Sequence, residues 1–160
     1  MKKILFLFLL TTTFYFTGQA QDYKSALGVR LSSAAAMVNN SITFKQFINE
    51  KTAIEGLLSF GDPLAIGAMV EFHKPLSAPG LSYFYGGGGY IGFLKTTNTT
   101  TQKTSTDPQL GGMGVIGLDY KFPNIPLNIA LDWKPELNIV SDINFEPAAI
   151  GFTARFTFGR

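Results

Sequence analysis

Leu127–Val140 reads LNIALDWKPELNIV, and the alternation in it decides the fold. Leu127, Ile129, Leu131, Trp133, Pro135, Leu137 and Ile139 are all apolar. Between them stand Asn128, Asp132, Lys134, Glu136 and Asn138, with Ala130 the one small exception. A side-chain period of two is the geometry of a β-strand, here with one hydrocarbon face and one face carrying both signs of charge. The stretch is longer than the roughly 5–6 residues of a common globular strand and long enough to cross a bilayer at a tilt.

The same rhythm extends outward in both directions. It predicts strands over Ala26–Ser32, Thr52–Phe60, Leu64–Lys74, Leu81–Lys95, Gln109–Phe122 and Ala148–Phe158. A further strand is expected over Ile42–Ile48, where the phase slips at Gln46-Phe47 in the manner of a bulge. With the opening stretch this makes eight. Asn49–Lys51, Pro75–Gly80 and Pro123–Pro126 are short connections that fall at one end. Ser33–Ser41, Gly61–Pro63, Thr96–Pro108 and Ser141–Pro147 fall at the other and include the longest. An even strand count with short turns at one end and longer loops at the other fits a transmembrane β-barrel. The expected fold is therefore all-β, an eight-stranded antiparallel up-and-down transmembrane barrel with a polar lumen filled by side chains.

The chain opens with an export signal. Lys2 and Lys3 precede an apolar core, Ile4–Leu10, and Gly18-Gln19-Ala20 offers small residues to a signal peptidase. Residues 1–20 are read as a cleavable signal peptide and 21–160 as the barrel domain. Losing Lys2 and Lys3 takes the basic count from 13 to 11, equal to the 11 acidic residues. A neutral mature chain argues against a nucleic-acid partner. With no Cys, it carries no disulfide framework, thiolate metal site or lipoprotein anchor.

Alternation alone does not say which face is inside, and a lipocalin-like soluble barrel would bury the apolar one. Volume decides. The apolar face carries Phe, Tyr, Trp, Leu and Ile on strand after strand, while the other is rich in Gly, Ala, Ser and Thr. Eight strands enclose a lumen just wide enough to be filled by side chains, so the bulky rings belong outside. That orientation puts Arg30, Lys45, Lys121, Lys134 and Arg155 in the lumen with Glu55, Glu71, Asp119, Asp132 and Glu136. Buried charges persist when paired and hydrogen-bonded, so an ion-pair lattice is expected to close the barrel. Tyr83, Tyr85, Tyr120, Phe122, Phe156 and Phe158 are candidates for an aromatic girdle at one lipid–water boundary.

From Ala26 to Phe158 the chain resembles the small eight-stranded outer-membrane barrels of Gram-negative bacteria, the OmpA/OmpX-like group. The likeness rests on the leader ending Gly18-Gln19-Ala20, the strand rhythm, and the last strand AAIGFTARFTF with its outward aromatics. Phe158 matches the group's C-terminal aromatic assembly signal, although Gly159 and Arg160 follow it here. The resemblance implies residence in outer-membrane lipid and insertion by the barrel-assembly machinery. It names no single activity, since such barrels serve as anchors, adhesins, defence proteins or lipid-modifying enzymes. No appended peptidoglycan-binding domain is expected, and a monomer is favoured.

Two G-x-G-x-x-G matches, Gly87/Gly89/Gly92 and Gly112/Gly114/Gly117, lie inside alternating strands without the helix that a dinucleotide site needs. No cofactor is expected from them. The sole histidine, His73, lies on the inward phase near Pro75–Gly80, with Glu71 two residues back, and lacks the neighbours of a hydrolase triad or metal site. The Thr-rich loop Thr96–Pro108 is the candidate ligand surface. The expected role is a non-enzymatic surface or envelope-integrity protein. A lipid-modifying enzyme, a narrow channel and an exported apolar-ligand carrier are the alternatives.

Overall fold

The computed structural model describes residues 23–33, 36–60, 62–97, 104–141 and 143–159. The predicted leader lies outside them. Ten strands are described: β1 (Ser25–Ser32), β2 (Ser41–Phe47), β3 (Thr52–Ser59), β4 (Leu64–Pro75), β5 (Leu81–Thr97), β6 (Thr104–Lys121), β7 (Leu127–Trp133), β8 (Glu136–Asn138), β9 (Asn144–Glu146) and β10 (Ile150–Phe158). All pairings are antiparallel, and each wall joins its sequence neighbour. β1 closes the ring on β10, so the fold is an eight-walled up-and-down barrel.

The seventh and eighth walls are each built of two pieces. β7 and β8 both pair with β6 and are separated by Lys134-Pro135, while β9 and β10 are separated by residues 147–149. Pro135 and Pro147 have no N–H to give to a ladder, which interrupts the pairing at both places. The even-position phase nevertheless survives the break: Asp132, Lys134, Glu136 and Asn138 are all buried.

Register sets the shape. A circuit from Leu127 runs through Phe156, Leu27, Phe44, Gly56, Ala68, Gly89 and Gly112 and returns on Leu137, ten residues further along. With ordinary strand spacings, a shear of that size over eight walls gives a tilt of roughly 40° and a radius of roughly 8 Å to the backbone. Side chains alone can fill such a cylinder.

Leu31, Ile66, Ile91, Leu131 and Phe156 are each more than half exposed on the outer face, whereas Lys45, Glu71, Asp119 and Lys134 have no exposure inside. Three expectations need correction. β2 carries no bulge: Ser41, Thr43, Lys45 and Phe47 all point inward in strict alternation. Phe47 belongs there because the turn end of the lumen is closed by an apolar group of Tyr23, Ala26, Phe47 and Ala53. Second, Thr96–Pro108 is mostly strand, since Lys95 pairs with Thr106 and Thr97 with Thr104, and only residues 98–103 lie outside the description. Threonine is β-branched and favours strands, so its polarity signalled exposure rather than a break in pairing. Third, the expected connection Ser141–Pro147 contains β9, which pairs with β8.

Candidate functional site

Among the described residues, three groups built on ion pairs are stacked in the lumen from the turn end toward the loop end. The first is centred on Lys45. Its ammonium lies 2.7 Å from Glu71, 3.5 Å from Asp119 and 3.6 Å from Glu55. Arg155 pairs with Glu55, reaches Asp119 at 3.8 Å, and donates to Thr43 Oγ1 at 3.0 Å and Asn128 Oδ1 at 3.2 Å. Asn128 in turn donates to Asp119 at 2.6 Å. Register places these residues side by side: Lys45 stands opposite Glu55, Arg155 opposite Asn128, and Glu71 opposite Ala53 one strand on.

The second group is the pair Arg30–Asp132, at 2.6 Å from Nη2 with Nε also donating at 3.2 Å. Both arginines reach across a glycine. Asp132, Gly151 and Ser32 form one row over β7, β10 and β1, and Arg30 crosses Gly151 to its partner. A Cβ on Gly151 would sit 2.2 Å from the guanidinium. Similarly, Arg155, Gly28 and Thr43 form a row over β10, β1 and β2, and Arg155 crosses Gly28 to Thr43. An inward residue without a side chain lets the longest side chains lie flat against the wall and join strands that are not neighbours.

The third group holds a plug. Lys134 pairs with Glu136 and donates to the Val38 carbonyl at 3.1 Å. Glu136 accepts the backbone N–H groups of Met37 at 2.8 Å and Val38 at 3.3 Å. Ala36–Val38 of the connection between β1 and β2 thus lie in the lumen instead of above it. Val38 is fully buried, in a cluster with Leu57, Ala65, Met69, Phe84, Tyr90, Met113 and Val115. The inward face of the barrel thus also carries an apolar cluster beside its charged groups. Gly92 makes room for Met37, whose Cε would lie 3.1 Å from a Cβ there, and Gly67 makes room for Met113, whose Cε would lie 2.8 Å from one. The three apolar residues Ala36-Met37-Val38 within a connection were the available signal.

Lys121 is the remaining residue of the predicted lattice. It is half-buried at the turn end, where its ammonium donates to the Phe122 carbonyl and, at 2.9 Å, to that of Ile125. At that rim a backbone turn offers carbonyl acceptors to the inward cation. His73 is buried between rings, stacked on Phe84 at 5.2 Å with the edge of Phe47 at 5.0 Å, and its Nε2 lies 2.9 Å from Glu71. On the outside at this end, Tyr120 packs on Phe122 at 4.8 Å and Phe156 on Phe158 at 6.5 Å, while Lys74 lies 5.8 Å from the Tyr85 ring. Four of the six glycines of the two G-x-G-x-x-G matches pair with each other across β5 and β6, Gly87 with Gly114 and Gly89 with Gly112.

No family model matches the sequence, and no curated protein does either. Among solved structures, the barrel is similar to the N-terminal β-barrel domain of Pseudomonas aeruginosa OprF. The TM-score is 0.61 at 10% identity, covering 88% of this chain and all of that one. At that identity the likeness is one of fold: a closed, eight-walled antiparallel barrel.

Proposed function

We propose that this chain is an integral outer-membrane barrel protein of a Gram-negative bacterium, closed along its axis and acting in envelope integrity or surface attachment without catalysis. One observation carries the reading, the inverted distribution of side chains. Arg30, Lys45, Glu55 and Lys134 are at most 2% exposed, while Ile66 is 64%, Phe156 58% and Leu131 55% exposed. Water-soluble monomers rarely expose apolar patches beyond a few hundred Å², and an unbroken apolar ring around a charged interior suits hydrocarbon.

The aromatic pairs beside the turns fit a boundary girdle at the periplasmic side. The leader at residues 1–20 supplies the export route, and the barrel-assembly machinery would insert the exported chain at Phe158 and its strand. The hairpin of β5 and β6, with residues 98–103 at its tip, is the surface offered to an external ligand. A non-catalytic role is supported by His73, whose ring is enclosed by Phe47 and Phe84 at the end opposite that hairpin. Stacked ion pairs and the Val38 plug favour a lumen closed to ions over a narrow channel.

Membrane fractionation tests the reading. The protein is expected to stay in the outer-membrane fraction after carbonate or urea washing and to shift mobility on heating in a detergent gel. Its release by carbonate would replace this reading with that of an exported soluble carrier.

A further inference from the structure

The group around Lys45 contains three carboxyl groups, Glu55, Glu71 and Asp119, but two obligate cations, Lys45 and Arg155. All five are at most 2% exposed. With every carboxyl ionised the group would carry one uncompensated negative charge, and buried groups neutralise rather than hold such a charge. The other two groups, Arg30–Asp132 and Lys134–Glu136, each balance.

The imbalance has a location. Glu55 is held by Arg155, Thr43 and Lys45; Asp119 accepts from Asn128 on Oδ1, and its Oδ2 makes no hydrogen bond among the described residues but faces two cations, Lys45 at 3.5 Å and Arg155 at 3.8 Å. Glu71 uses a single oxygen, Oε2, for both Lys45 at 2.7 Å and His73 Nε2 at 2.9 Å. Its Oε1 is buried without a hydrogen-bond partner among the described residues. The groups facing this pair are Lys45 from β2, Glu55 from β3, Asp119 from β6 and Arg155 from β10. Among the described residues, the Phe84 ring of β5, the Phe47 ring and the phenol of Tyr23 also line this region.

We propose that folding captures one proton, held between Glu71 and His73, and that this proton closes the charge balance of the group around Lys45. An imidazolium facing a carboxylate and a carboxylic acid facing a neutral imidazole give the same count. In the unfolded chain the two side chains together hold one proton between about pH 4.3 and 6.5, and none above about 6.5. Below about 6.5 folding therefore changes this count little. Above it, folding takes up a proton, and the folded-to-unfolded ratio falls about tenfold per pH unit until the captured proton is lost.

Glu71→Gln reverses the sign. The variant's group balances with a neutral His73, so its ratio is flat above about pH 6.5 and falls as pH drops below it. The test is urea unfolding of the detergent-folded protein across that range, read as the difference between wild type and Glu71→Gln. Parallel slopes in the two proteins would overturn the proposal. So would a wild-type stability that follows Na⁺ or Ca²⁺ concentration instead of pH, since a bound cation would then supply the charge. Should the variant fail to fold, the wild type still decides. At about pH 8, well above an ordinary histidine, either the single histidine gives the ¹⁵N signature of an imidazolium or the infrared spectrum shows a carboxylic-acid C=O band that moves in D₂O. Neither signal appearing would refute the capture.

Discussion

At the scale of single residues, the lumen works through what is missing from two positions. Gly151 and Gly28 are the places where Arg30 and Arg155 lie across the wall; a Cβ on Gly151 would meet the Arg30 guanidinium, and one on Gly28 would meet the backbone of Ala154 and Arg155. Gly151→Ala is expected to destabilise the barrel by about 3 kcal/mol, since the new methyl group meets the guanidinium and breaks a buried pair. Urea unfolding in micelles checks this, and a double-mutant cycle with Asp132→Asn sharpens it. If Gly151→Ala acts through the Arg30–Asp132 pair, the two substitutions are strongly non-additive; additive losses would mean that the glycine serves the backbone instead. The Glu71–His73 proton belongs to the same scale, with its opposite pH slopes in wild type and Glu71→Gln.

At the scale of elements, the connection from β1 to β2 behaves as part of the core. The Met37 and Val38 backbone is bound by Glu136 and Lys134, Asn39 accepts a hydrogen bond from Ser59 at 2.8 Å, and Val38 is fully buried in the apolar cluster. The absence of native cysteine makes this directly measurable. A thiol at Val38→Cys is expected to react slowly with a maleimide, while one at the exposed Asn40→Cys reacts fast. Adding Glu136→Gln weakens the hold on the Met37 and Val38 N–H groups and should speed labelling at position 38 by about tenfold, the equivalent of one lost charge-assisted hydrogen bond of about 1.5 kcal/mol. Equal rates at positions 38 and 40 in the parent protein would refute the plug.

For the whole molecule, the outward belt is the feature that responds to its surroundings. Leu131 lies within β7 on the outer face, so Leu131→Arg is expected to cost about 2–4 kcal/mol when the barrel is folded into lipid vesicles. On a water-facing surface the same change would cost little, within about 0.5 kcal/mol. Comparing unfolding in vesicles for Leu131→Arg and the parent separates the two environments. A near-zero difference would remove the membrane from the account of this barrel.

Much of this was legible in the chain because a strand's period is two and a barrel has only an inside and an outside. Leu131 and Trp133 against Asp132 and Lys134 suffice to assign faces, and the bulk of the rings assigns them to the exterior. The alternation of short and long connections gave the wall count and the common end of Asn49–Lys51, Pro75–Gly80 and Pro123–Pro126. Alternation carries no information about height, however. Which inward charge meets which depends on a register that accumulates ten residues of shear around the ring, and only the closed cylinder brings Lys45 of β2 to Asp119 of β6 or Arg30 to Asp132. The same closure decided that Lys121 ends at the rim on backbone carbonyls, that Ala36–Val38 enter the lumen, and that three carboxyl groups share two cations. Those outcomes are long-range, because they arise when chain segments distant in sequence are forced to share one narrow volume.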